Sequence, residues 1–221
     1  MAVGEGLRER KKRRTREEIS DVATRLFAEH GFEAVTLAQI AEAAEVSVKT
    51  IFNHFGSKED LYFDRAQEAR DALLDAISGR PPGTTILAAV RSLLTDNLAP
   101  FPGVGWEGLR EPAGYARFAA FLATQDRSPA LRARRLTLGE EIGAALIGVL
   151  AAALARAPDD PAVEALAAAI LAAYQLRDRW LRRAIAEAAP AEEVERRVRA
   201  VVDEAVARLA TAFADLDRPA A

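Results

Sequence analysis

Apolar residues recur at three- and four-residue intervals along nearly the whole chain, and no stretch keeps the alternation of a half-buried strand. Ile19, Val22, Ala23, Leu26 and Phe27 make one such stripe, closed by Gly31. Thr15 and Glu18 have capping-box spacing and set the expected start of this first helix. Thr36 with Gln39 opens a second helix carrying Leu37, Ile40, Ala41 and Ala44. Ser47 caps a short third helix over 48–54, which Gly56 ends. Ser57 with Asp60 starts a fourth, predicted to run unbroken to Gly79. Beyond the loop Arg80-Pro81-Pro82-Gly83, five more helices are predicted over 85–98, 113–125, 128–156, 161–187 and 190–216. Between the first two of these lies a Pro- and Gly-rich connection at 100–112, with a short turn near 106–109. The expected fold is all-α, with about nine helices.

Residues 1–14 carry no apolar period and hold Arg8, Arg10, Lys11, Lys12, Arg13 and Arg14, which reads as a flexible basic arm. The domain division that follows is 1–14 for the arm, 15–62 for a first helical domain and 63–221 for a second. Charge changes this picture little: 30 Lys and Arg stand against 33 Asp and Glu, a net of −3, so a nucleic-acid partner has to be sought in local charge. The absence of cysteine excludes disulfides, thiolate metal sites and cysteine nucleophiles. Two histidines without cysteine leave no expectation of a metal site or of a cofactor. The longest uncharged apolar run, 142–155, is shorter than the roughly 20 residues of a bilayer span. A basic N-terminus without an apolar segment behind it is not a secretory signal, so the expected location is the cytoplasm.

Helices as short as the second and third cannot stand alone in water. Ile40, Ala44, Val46, Ile51 and Phe55 are expected to pack on Leu26, Phe27 and Phe32. That packing turns the other face of 48–54 outward, with Lys49, Thr50, Asn53 and His54 on it and Phe52 at its edge. A rigidly backed helix presenting polar donors suits the major groove of DNA.

The stretch from Thr36 to Leu61 resembles the N-terminal signature of tetracycline-repressor (TetR) family transcriptional regulators, with Thr15, Ile19, Ala23, Leu26, Phe27, Gly31 and Phe32 matching upstream. The resemblance implies a homodimer whose two third helices seat in the half-sites of a palindromic operator. It also implies a C-terminal domain in which a small-molecule effector changes the separation of the two heads and releases the DNA. Carried over by position, Ser47, Val48, Lys49, Thr50, Phe52, Asn53, His54 and Lys58 fall where the family contacts DNA, and Thr36 where a helix N-terminus meets a phosphate. Three positions depart from the pattern: Glu45 replaces the turn glycine, Phe52 replaces a tyrosine and loses its hydroxyl, and Lys49 replaces a small residue. Glu45 keeps open a competing reading, a helical small-molecule-binding protein that reads no specific DNA.

Of the second domain the sequence says less. Val194, Val198, Val201, Val202, Ala205, Leu209 and Phe213 form a stripe on the last helix, and Val163, Leu166, Ile170, Tyr174, Leu181 and Ile185 another on the helix before it. Together they are the expected dimer interface. Trp106, Tyr115, Phe118, Phe121 and Tyr174, with Arg177 as a polar anchor, are candidates to line a cavity for a mostly apolar effector, entered through 100–112. No nucleophile elbow, phosphate loop or dinucleotide motif is present, and no enzymatic activity is expected.

Overall fold

The computed structural model describes residues 6–96 and 105–217. Among them lie eleven helices and no strand: α1 (Leu7–His30), α2 (Leu37–Ala43), α3 (Val48–His54), α4 (Lys58–Tyr62), α5 (Asp64–Ser78), α6 (Ile86–Asp96), α7 (Trp106–Arg110), α8 (Pro112–Arg127), α9 (Pro129–Leu154), α10 (Pro161–Ala186) and α11 (Ala191–Ala212). Two additions account for the excess over nine. The expected fourth helix breaks at Phe63 into α4 and α5, and the turn near Trp106 is helical.

The first helix starts at Leu7, not at Thr15. Residues 8–14 are therefore the opening turns of α1 rather than a flexible arm. The cause is local: Arg, Lys and Glu are good helix formers. Arg13 pairs with Glu17 at 3.7 Å and Arg14 with Glu18 at 2.7 Å, each at i,i+4 spacing. Glu18 thus serves an ion pair, and the Thr15 capping box does not form at the N-terminus of this helix.

The chain divides into two compact units, one comprising residues up to Asp64 with Ala123–Arg134, the other Arg65–Leu122 with Arg135–Ala221. In the first unit α2 and α4 pack on α1 and α3 on α2, around Ile19, Ala23, Phe27, Ile40, Ile51, Phe55 and Leu61, each at most 4% exposed. Phe27, Phe32 and Tyr62 form an aromatic triangle with centroids 5.3 to 5.5 Å apart. The corner between α8 and α9 belongs to this unit: the Ser128 hydroxyl donates to Glu33 at 2.6 Å and Arg134 Nε to Asp60 at 2.6 Å.

In the second unit α6, α9, α10 and α11 share a core of Leu87, Val90, Leu146, Leu150, Val163, Leu166, Ile170 and Val202. The stripes expected to form a dimer interface face this unit's own interior in part: Val201, Ala205, Leu209, Phe213 and Tyr174 are only half-buried. Val163, Leu166 and Ile170 are 0% exposed in the core shared with α6, and Val194 and Val198 are 0% exposed against Trp106, Leu109, Phe118 and Leu181. Helix α9 is, by length and composition alone, long and apolar enough to cross a membrane, although its uncharged run 142–155 is shorter than a span. Its Leu138, Ile142, Leu146 and Leu150 are nevertheless buried in the protein.

Three helix ends share one device. After α2 the Glu45 N–H donates to the Glu42 carbonyl at 3.1 Å and the Val46 N–H to Ala41 at 2.9 Å, the two bonds of a Schellman motif. The same pair of bonds closes α9 around Ala155 and α10 around Ala188. Glu45, Ala155 and Ala188 hold φ values of 53°, 51° and 52°, where glycine is the usual residue.

A candidate nucleic-acid interface on α3

The turn between α2 and α3 fixes everything on the interface. The Schellman bonds force Glu45 into the left-handed region, and it stays there. The turn is therefore kept in its normal form despite the missing glycine. Thr36 caps α2 through the expected box: Gln39 N–H donates to the Thr36 hydroxyl at 3.2 Å and the Thr36 N–H to the Gln39 side chain at 2.8 Å. Ser47 caps α3, accepting from the Thr50 N–H at 3.0 Å, and its hydroxyl also meets Thr50 Oγ1 at 2.8 Å.

Ile51 anchors α3 to the core, which turns the opposite face to solvent. Ser47, Val48, Lys49, Phe52 and Asn53 are all exposed, Val48 at 37% and Phe52 at 54%. Of the expected contact residues, these five and Thr36 stand outward together. Thr50 lies at the edge with its hydroxyl engaged in the cap.

Lys58 and His54 do not fit the expectation. Lys58 Nζ turns back to donate to the carbonyls of Phe32 and Val35 at 2.9 and 3.0 Å, and lies 4.2 Å above the Phe32 ring. It ties α4 to the loop behind α1, so its ammonium is spent inside the protein rather than on a phosphate. The His54 Nδ1 is buried without a hydrogen-bond partner among the described residues. Burial first, then the neighbouring Arg16 and Lys12, hold the imidazole below its ordinary value of 6.5. His54 is accordingly neutral at pH 7 and only partly exposed.

Sequence reasoning missed Arg16. Its Nη1 donates to the His54 carbonyl at 2.5 Å, its Nε to Asp64 at 2.8 Å, and its guanidinium stacks 4.5 Å over Phe55. One side chain on α1 thus satisfies the C-terminus of α3, neutralises a buried carboxylate and packs on the core. Nothing in its local sequence marks it, since its three partners lie 38 to 48 residues downstream.

The candidate effector residues are dispersed over two packed clusters. Trp106, Tyr115, Phe118 and Phe121 pack around Leu109, Leu122 and Leu181, while Tyr174 packs on the separate α6–α10–α11 core. Trp106 Nε1 donates to the Thr95 carbonyl at 2.8 Å and Tyr115 to the Ala189 carbonyl at 2.9 Å, so both polar tips are engaged. Arg177 is 2% exposed and donates to the Leu94 carbonyl at 3.2 Å. Burial pushes its guanidinium downward and the Tyr174 phenol upward. A groove of about 620 Å³ does exist in this unit, but Ala76, Arg80, Thr84, Ala89, Ser92 and Leu93 line it, and none of the six candidates does. The proposed entrance at 100–112 lies partly outside the described residues.

A capped three-helix platform presenting one short outward helix is a helix-turn-helix DNA-binding head. Residues 19–64 match the family profile of bacterial regulatory proteins, tetR family. Residues 19–64 are thus a domain of that family. It is 36% identical over 149 residues to the HTH-type transcriptional regulator TcmR of Streptomyces glaucescens, covering 67% of this chain and 64% of that protein, so it spans a little under two thirds of that relative. It is 41% identical over 64 residues to the HTH-type transcriptional repressor AcnR of Corynebacterium glutamicum, 29% of this chain and 34% of that one. Among solved structures it resembles a TetR transcriptional regulator from Rhodococcus sp. RHA1, with a TM-score of 0.51 at 17% identity over 89% of this chain and 97% of that one. That likeness shows a shared fold.

Proposed function

We propose that this protein is a transcriptional regulator, a repressor that binds a palindromic operator as a homodimer and leaves it when a small, mostly apolar effector binds. The observation that carries the reading is the outward face of α3, where Val48, Lys49, Phe52 and Asn53 stand exposed on a helix capped at Ser47 and anchored through Ile51. An exposed helix face of that size, rigidly held, matches what a major groove admits. The relatives named as regulators and repressors support the same class.

Two copies are needed because one short helix reads only a half-site. Since only part of each stripe is buried inside the subunit, the pairing surface is the outer side of these helices, where Val201, Ala205 and Leu209 of α11 are half-buried and Ala165, Ala168 and Ala172 of α10 are exposed. An effector acts by binding two dimer geometries with unequal affinity, and the coupling it exerts equals that difference. The retained turn at Glu45 removes the reason for preferring a protein without DNA specificity. The cytoplasm is the location this function requires.

Enrichment of duplexes from a random pool by the full-length protein tests the reading. The expected result is a two-fold symmetric sequence, bound by a species of twice the chain mass in light scattering. Recovery of no common sequence would remove the regulator assignment.

A further inference from the structure

We propose that Val48 and Phe52 read thymine C5-methyl groups, so that half of the base readout by α3 is apolar. This rests on the regulator reading and specifies what its site recognises.

Three large apolar side chains are exposed among the described residues: Val48, Phe52 and Leu136. Two of the three sit four residues apart on α3, hence on one face of the same short helix. Lys49 and Asn53, also four apart, form the adjoining stripe. The outward face is thus two parallel rows, one apolar and one polar.

The Ser47 and Thr50 hydroxyls and the Lys58 ammonium are already committed. Ser47 and Thr50 bond each other and the α3 backbone, and Lys58 is held by the Phe32 and Val35 carbonyls. The outward set on α3 beyond its cap is therefore Val48, Lys49, Phe52 and Asn53. Phe52 carries no hydroxyl and cannot donate to a phosphate. Val48 has no polar side-chain atom. In the major groove the one apolar group on a base edge is the thymine methyl, so it is the complement of this row. Lys49 supplies the positive charge that keeps the face attracted to a polyanion.

The spacing adds a register. Four helical residues rise about 6 Å, and base pairs are stacked about 3.4 Å apart. With α3 lying along the groove, Val48 and Phe52 address methyls about two base-pair steps apart in each half-site.

The test replaces thymines of the enriched duplex one at a time by deoxyuridine, which keeps every hydrogen-bonding group and removes only the methyl. Two positions per half-site are expected to lose affinity, each by about three- to fivefold. Phe52→Ala should bind natural and substituted duplexes equally at one of these positions, and Val48→Ala at the other. Both side chains are exposed, so the variants should melt as the parent protein does, and a circular dichroism melt checks this. Sensitivity at no thymine, or sensitivity that both variants keep, overturns the inference while the regulator reading stands. Enrichment of no sequence at all overturns both.

Discussion

Lys58 and Phe32 are joined twice: the ammonium donates to the Phe32 carbonyl at 2.9 Å and sits 4.2 Å above the Phe32 ring. With the second bond to Val35, one cation holds two carbonyls of the loop between α1 and α2, which is the loop that positions Thr36. Lys58→Met keeps the stem and removes the charge. It should destabilise the head by about 1–3 kcal/mol. The slope of log affinity against log salt should hardly change, because no phosphate contact is lost. Urea unfolding and a salt titration of DNA binding separate the two roles.

Glu45 is held at φ 53° by the Schellman bonds. Glu45→Gly removes a left-handed penalty of about 1–2 kcal/mol and adds back part of it as unfolded-chain entropy, so a net gain of about 0.5–1 kcal/mol is expected. DNA affinity should be preserved, since the turn geometry is already the normal one. A thermal melt of the variant reads the sign directly.

Arg16 neutralises Asp64, which is 6% exposed. Arg16→Ala leaves a buried carboxylate without this partner, at a cost of roughly 2–4 kcal/mol. It also frees the carbonyl at the end of α3. Loss of DNA binding should therefore accompany the loss of stability, and the double variant Arg16→Met with Asp64→Leu should recover most of the stability. Chemical denaturation of Arg16→Met, Asp64→Leu and their double variant beside the parent gives the coupling.

The His54 imidazole is held below its ordinary 6.5 mainly by burial. The unfolded chain then binds more protons than the folded one below that value. His54 thus favours folding above pH 6.5, and that contribution is lost as pH falls through and below it. His54→Gln should show a smaller drop in urea midpoint between pH 7.5 and 5.5 than the parent, the remaining drop belonging to other groups.

What could be read in advance follows from range. The caps at Thr36, Ser47 and Ser57 each use partners three residues away, so the starts of α2, α3 and α4 were legible. The outward row Lys49 and Asn53 followed from the apolar anchors Ile51 and Phe55 by helical period alone. Lys58 was not legible as a structural group, because its acceptors lie 23 and 26 residues upstream and only the folded head brings them near. The stripe on α11 was visible, but period does not say whether a stripe faces a partner or its own core. The start of α1 lies before the cap spacing at Thr15, because the strong helix formers upstream carry the helix back to Leu7.

The central claim is that the outward face of α3 makes the specific contacts. The most direct measurement is the affinity of Lys49→Ala, Asn53→Ala and their double variant for the enriched duplex, beside their melting temperatures. The account predicts at least a tenfold loss for the double variant, equal to about 1.4 kcal/mol, with melting unchanged. Parent-like affinity in all three variants would contradict it.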